Sequence, residues 1–296
     1  MDIAILGFDR ALEDISANIA RTEKEGFSGY WVPNGRGSDA LTALAVAGAS
    51  ATIRLGTAVV PIHPRHPIAL AQHALTVNKI VGGRLALGLG VSHRPMVEDS
   101  WGLSFERPVT YLAEYLEALL PLLADQQVAV DGERVRVHAA IDIAAPPCPV
   151  FLAALGPRML ELAGRLTAGT VTWMVGLETV RTLTAPTINA AAEAAGRDAP
   201  EIVVGLPVTV TDDAATAREK AGESLQMYGT LPSYRAMLDR EGLAGPADLC
   251  VVGSEDEVAE SLGAFIDAGA TCIAASPTGT DEERERTRAC LASLVS

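Results

Sequence analysis

The sequence predicts a (β/α)8 barrel with insertions, and three observations point to it. Short apolar, β-rich runs alternate with segments of helical period about eight times along the chain. Such alternation builds a parallel sheet with helices outside it. The 296 residues hold no low-complexity linker and no residue-level repeat, so we expect one domain spanning residues 1–296. An open doubly wound sheet fits most of this rhythm too. A closed barrel of eight strands fits the count better, and about 250 residues is its usual size.

The elements follow in order. Ile3–Leu6 is the first strand, and Leu12, Ile15 and Ile19 fall on one face of the helix after it. Gly29–Val32 leads to the alanine-rich segment Leu41–Ala51, and Ile53–Val60 leads to Ile68–Val81. Arg84–Gly88 precedes Tyr111–Leu123, where Leu112, Tyr115, Leu116, Leu119 and Leu123 recur every three or four residues. Val150–Ala154 leads to Arg158–Leu166, and Gly169–Met174 to Val180–Ala195. Ile202–Val210 leads to Ala214–Gln226, and Thr271–Ala275 to Glu282–Val295. Two stretches break the rhythm. Residues 127–143 alternate apolar and polar side chains around Asp131-Gly132, which reads as an inserted β-hairpin. Leu249–Val252 is a ninth strand candidate, followed by Gly253-Ser254 and an acidic helix start. It is expected to be a short extra element before the last βα unit.

Composition narrows the function. A hydrophobic fraction of 49% and a charged fraction of 20% are those of an ordinary globular protein. With 23 basic and 37 acidic residues the formal net charge is −14, which disfavours nucleic acid and anionic membranes as partners. An anionic ligand must then be held by backbone dipoles and a few arginines. Cys148, Cys250, Cys272 and Cys290 show no C-x-x-C spacing and read as reduced thiols. With no basic leader and no apolar run near 18 residues, we expect a cytoplasmic protein.

In α/β folds of this kind ligands bind beyond the carboxyl ends of the strands. The richest such segment is Leu87-Gly88-Leu89-Gly90-Val91-Ser92-His93. Its two glycines allow tight backbone and close approach to a planar or anionic ligand, or simply form a turn. A dinucleotide fingerprint needs a third glycine and an immediate helix, but position 93 is histidine and Pro95 is expected to delay any helix. In Ala154-Leu155-Gly156-Pro157-Arg158-Met159 the strand stops before a proline suited to the first helical position. Free amides there can cradle a phosphate, or form an ordinary strand–helix connection. His63 and His66 each precede a proline with no carboxylate or cysteine at ligand spacing, so no metal site is expected. No nucleophile elbow, Walker loop or zinc-helix motif occurs, and hydrolase chemistry has no support.

Taken together, several segments resemble the luciferase-like monooxygenase superfamily, and within it the oxidoreductases that use the deazaflavin coenzyme F420. They are Tyr30-Trp31-Val32-Pro33-Asn34, Leu55-Gly56-Thr57-Ala58-Val59, Gly82-Gly83-Arg84-Leu85-Ala86-Leu87-Gly88-Leu89-Gly90, Ala153-Ala154-Leu155-Gly156-Pro157-Arg158-Met159 and Val252-Gly253-Ser254. The order of these pieces spans nearly the whole chain. The resemblance implies a luciferase-like TIM barrel carrying a hairpin near 127–143, and a homodimer. It implies a cofactor ring against Asn34, Ala58, Val59, Gly90, Val91, Ser92 and His93, with a non-prolyl cis peptide joining Ala58 to Val59. It places the cofactor phosphate at Leu155, Gly156, Pro157, Arg158 and Met159. The F420-dependent sugar-phosphate dehydrogenases carry an Asp-His pair where this chain has Asn34-Gly35, and a glutamate where it has His93. Phosphate-gripping lysines are not evident either, which argues against a sugar phosphate.

The expected activity is hydride transfer between C5 of F420 and an apolar or unsaturated organic substrate. The cofactor supplies the chemistry, and the protein supplies distance, ring face and proton delivery. His93 is the candidate acid or base, or else only a cofactor hydrogen-bond partner. Asn34 would position the ring edge, and Trp173 would wall the pocket beside Met174. The alternatives are a monooxygenase of the same fold using flavin mononucleotide (FMN), and a non-catalytic barrel that binds flavin or F420.

Overall fold

A computed structural model of the chain describes residues 1–9, 11–124 and 127–295. Its strands are β1 (Ile3–Leu6), β2 (Gly29–Val32), β3 (Arg54–Thr57), β4 (Val60–Pro61), β5 (Leu85–Gly90) and β6 (Val128–Asp131). They continue with β7 (Arg136–Ala139), β8 (Val150–Leu152), β9 (Gly169–Trp173), β10 (Glu201–Val210), β11 (Val251–Gly253) and β12 (Cys272–Pro277). The eight strands β1, β2, β3, β5, β8, β9, β10 and β12 pair in parallel around a ring, which closes where β9 meets β10 and β12 meets β1. The predicted (β/α)8 barrel is the observed fold. Among the described residues no helix is long and apolar enough to cross a membrane.

Two packing layers hold it. Inside the barrel, Trp31 and Phe151 meet edge to face at 5.6 Å, among small residues such as Ala4, Ala86 and Ala274. Trp31 is fully buried, which stabilises by about 5 kcal/mol for roughly 200 Å² of surface. It fits because β3 offers Gly56, where a Cβ would stand 2.1 Å from the Trp31 ring. Outside the barrel, leucines such as Leu44, Leu75, Leu116 and Leu119 pack the helices onto the sheet. The last two carry the three-residue spacing that marks Pro108–Leu123 as amphipathic.

The insertions also fall where the sequence puts them. β6 and β7 form the antiparallel hairpin, with Asp131 opposite Arg136. β11 lies outside the ring, pairing Val251 with Val208 on the outer half of β10. Other boundaries differ for physical reasons. The predicted strand Ile53–Val60 is split into β3 and β4 around Ala58–Val59. The segment Leu41–Ala51 is helical only over Ala40–Ala47; Gly48 follows at φ −98°, where a Cβ would stand 2.3 Å from Leu55 on β3. Gly88 and Gly90 do not form a turn after the strand but lie within β5. Pro95 does not delay helix formation: helical turns begin at Arg94 and run through Met96–Ser100. A proline in a first turn is tolerated because its missing N–H would have no helical partner there. Two helices, Pro232–Glu241 and Glu255–Asp267, complete the segment between β10 and β12.

Candidate active site

The barrel mouth is built on a local break in the β3–β5 ladder. After Thr57 the chain leaves the ladder, and the Ala58–Val59 peptide is cis, as the resemblance implies. The Thr57 side chain replaces the missing ladder bonds. Its Oγ1 donates to the Gly88 carbonyl and accepts from the Gly88 N–H, both at 2.9 Å. The glycines of β5 are therefore close-approach residues. A Cβ on Gly88 would lie 1.9 Å from the Thr57 carbonyl oxygen. One on Gly90 would lie 2.8 Å from Val59 Cγ2 and 3.2 Å from the Ala153 Cβ. Val59, Gly90 and Ala153, from three different strand ends, thus meet as one apolar floor.

From this floor an arc of rings runs across the mouth. Ser92 turns the chain at φ 60°, and the His93 carbonyl accepts from Val97 N at 3.0 Å, fixing the rim after β5. The His93 ring lies 5.9 Å from Tyr234, and Tyr234 packs on Tyr228 at 4.9 Å. At the end of β9, Trp173 packs 5.0 Å from Phe8, which follows β1 and is half exposed. The Trp173 Nε1–H is buried beside the Tyr228 hydroxyl, and this contact partly offsets the burial that pushes that phenol's pKa up. Burial also holds the His93 imidazole below its ordinary value, so its neutral form dominates near pH 7. A neutral imidazole can accept a proton or a hydrogen bond.

The other expected residues divide into two groups. Asn34 is half-buried at the end of β2, and its Oδ1 accepts from Ala40 N at 3.0 Å and from Arg65 Nη2 at 3.4 Å. Its carbonyl is therefore committed to holding the next helix. Gly156 to Met159 form the first turn of the helix Pro157–Leu166, with Pro157 at its first position. No side chain caps this turn and no acidic residue stands in it. Gly156, Pro157 and Arg158 are exposed, while Leu155 and Met159 are half-buried. A Cβ built on Gly156 would meet nothing within 4 Å, and its φ of −106° is open to any residue. Open space over uncapped amides suits a phosphate; Gly156 is not needed for the turn itself.

Sequence reasoning missed Phe8, Tyr228 and Tyr234. A local signal existed for Tyr234. Pro232 opens its helix and Gly242 closes it in the left-handed region at φ 70°, with Tyr234, Met237 and Leu238 buried on one face. Nothing local links that helix to His93.

Fold and mouth together define a (β/α)8 barrel with a candidate site at the carboxyl ends of its strands. The family model for luciferase-like monooxygenases matches residues 6–272, and the chain belongs to that family. It is 27% identical over 294 residues to a 5,10-methylenetetrahydromethanopterin reductase of Methanolobus tindarius, covering 88% of this chain and 90% of that one. It is 26% identical to an F420-dependent glucose-6-phosphate dehydrogenase of Kineococcus radiotolerans, covering 89% and 87%. Among solved structures, the coenzyme F420 dependent tetrahydromethanopterin reductase of Methanopyrus kandleri superposes with a TM-score of 0.84 at 20% identity, over 99% of this chain and 98% of that one.

Proposed function

We propose that the protein is an F420-dependent oxidoreductase transferring a hydride between the deazaflavin and an apolar or unsaturated organic substrate. One observation carries the reading: the apolar floor of Val59, Gly90 and Ala153 shares the barrel's strand-end face with the uncapped helix start at Gly156. A planar ring with a phosphate-bearing chain needs both features. The F420-dependent relatives described above support the choice of cofactor over FMN.

In this reading Ala58, Val59, Gly90, Val91 and Ser92 hold the ring. Leu155 to Met159 surround the phosphate, and the backbone N–H groups of Gly156 and Arg158 hold it, since Pro157 has none and the Met159 N–H donates to the Gly156 carbonyl at 3.1 Å. The deazaflavin, when bound, supplies hydride chemistry at its C5. His93, neutral and half-buried, accepts or delivers the proton at the ring's edge. Trp173, Phe8 and Tyr228 wall a substrate space that excludes water, and Asn34 positions the neighbouring rim. The family's sugar-phosphate chemistry is disfavoured, because the residues after β2 are Asn34-Gly35 and the chain's lysines are Lys24, Lys79 and Lys220. We further place the protein in the cytoplasm as a homodimer. Val46 and Ile80, exposed apolar side chains at the ends of two neighbouring helices, support the pairing. Light scattering tests it.

The functional test titrates the apo-protein with F420 and with FMN, then screens F420 turnover against carbonyl and enone acceptors. Tighter F420 binding with turnover is expected. Equal or tighter FMN binding with oxygen consumption would assign the monooxygenase reaction. Tight binding without turnover across the panel would assign a binding protein.

A further inference from the structure

Beside the barrel mouth, the loop after β4, the start of the helix Pro108–Leu123 and the tip of the hairpin enclose two cavities. Their volumes are about 250 and 270 Å³, and both are walled by His63, Tyr111 and Arg134. The first also takes Arg65, His66 and Arg136 into its wall and has no carboxylate there. The charges do not cancel. Arg65 is paired with Asp39, and Arg136 with Asp131 at 3.2 Å. The Arg134 guanidinium has only neutral partners among the described residues, the carbonyls of Glu106 and Ser104 and the Tyr111 ring 4.7 Å away, while the Glu114 carboxylate accepts from the Arg134 and Val135 backbone N–H groups at 2.8 and 3.1 Å. Glu133, on the wall of the second cavity, is taken up by Arg107 at 2.8 Å. A chain of net charge −14 therefore lines this hollow with an uncompensated guanidinium.

A second observation converges on the same wall. On this wall the half-buried His63 imidazole stands beside Arg65, whose Nε is one of the few buried side-chain nitrogen or oxygen atoms among the described residues without a hydrogen-bond partner. Such groups are rare in native proteins and call for a partner that is bound. The 14-residue helix Pro67–Ile80 also begins here, directing the positive end of its dipole to the cavity through His66 and Pro67. Stacking of His63 between Phe105 (5.7 Å) and Tyr111 (5.1 Å) holds the imidazole in place.

We propose that the joined cavities bind a small molecule carrying two or more carboxylates, centred on Arg134. Planar guanidinium groups match carboxylates with two parallel hydrogen bonds, and two cavities meeting at one arginine suit a chain of acidic groups better than a single anion. The ligand comes free from solution. His63 lies against the backbone of Val91, so the cavity and the cofactor floor share a wall.

The test is calorimetric titration of the full chain with citrate, with acetate and sodium chloride at matched ionic strength as controls. Saturable one-to-one binding of citrate is expected. Arg134→Gln should weaken it at least tenfold, and the exposed Arg136→Gln, which cannot disturb packing, several-fold. The proposal is overturned if citrate does not saturate at millimolar concentrations, or if neither variant changes its binding. The titration needs no F420, so failure of the cofactor reading leaves it interpretable.

Discussion

Gly156→Ala separates the fold from the proposed phosphate site. In the free protein the substitution has no steric consequence, since the backbone is extended and a Cβ would meet nothing within 4 Å. Two small effects remain, and they oppose each other. Alanine narrows the unfolded ensemble, stabilising by about 0.4–1 kcal/mol. It is also a poorer helix N-cap than glycine, which costs on the order of 0.5–1 kcal/mol. The net change should stay within roughly 0.5 kcal/mol, or about 2 °C in Tm. Binding is another matter, because the new methyl group enters the space over the free amides of the helix start. Losing one charge-assisted hydrogen bond there costs about 1.5–3 kcal/mol, a rise in Kd of roughly 10- to 150-fold. Arg158→Ala, an exposed charge, should cost only on the order of 1 kcal/mol. The assays are thermal melts of all three proteins followed by F420 titrations. A Gly156→Ala protein with wild-type melting and wild-type F420 affinity would refute the placement. So would loss of binding in Arg158→Ala alone, which would mean that side-chain charge holds the phosphate.

Three further outcomes follow from the same geometry. Gly88→Ala should destabilise by about 1–3 kcal/mol or prevent folding, because its Cβ would fall 1.9 Å from the Thr57 carbonyl; a thermal melt reads this directly. Thr57→Val keeps the shape but leaves the Gly88 N–H unpaired, so urea unfolding should show a loss of about 1–3 kcal/mol. Burial holds the His63, His73 and His93 pKa values below 6.5, so as pH falls through 6.5 the unfolded chain protonates first and stability drops. Urea melts at pH 7.5 and 5.5 should therefore show lower stability at pH 5.5, with a smaller difference in His93→Gln; an equal difference would mean His93 titrates normally.

What could be read from the sequence, and what could not, follows from the range of each signal. Strands and helices announce themselves through periods of two and 3.6 residues, which are local, so the barrel rhythm, the hairpin and the extra β11 were legible. The strand-end residues were legible too, because the carboxyl ends of parallel strands follow from that rhythm. Pairs across strands were not. Trp31 needs the missing Cβ of Gly56 on the next strand, and Val59 needs those of Gly88 and Gly90. Read along the chain, Gly88-Leu89-Gly90 has the pattern of a turn, since glycine serves turns and close approaches equally. Only the neighbouring strand shows that it is a strand hollowed to admit Val59. His93 meeting Tyr234, and His63 meeting Arg134 across a cavity, are long-range in the same way. This has a consequence for substitution. The glycines of β3 and β5 are matched to large side chains in the barrel, so changing them alters fold and floor together. Gly156 has no such partner. A loss of cofactor binding without a loss of stability should therefore be found at the helix start and not at the floor.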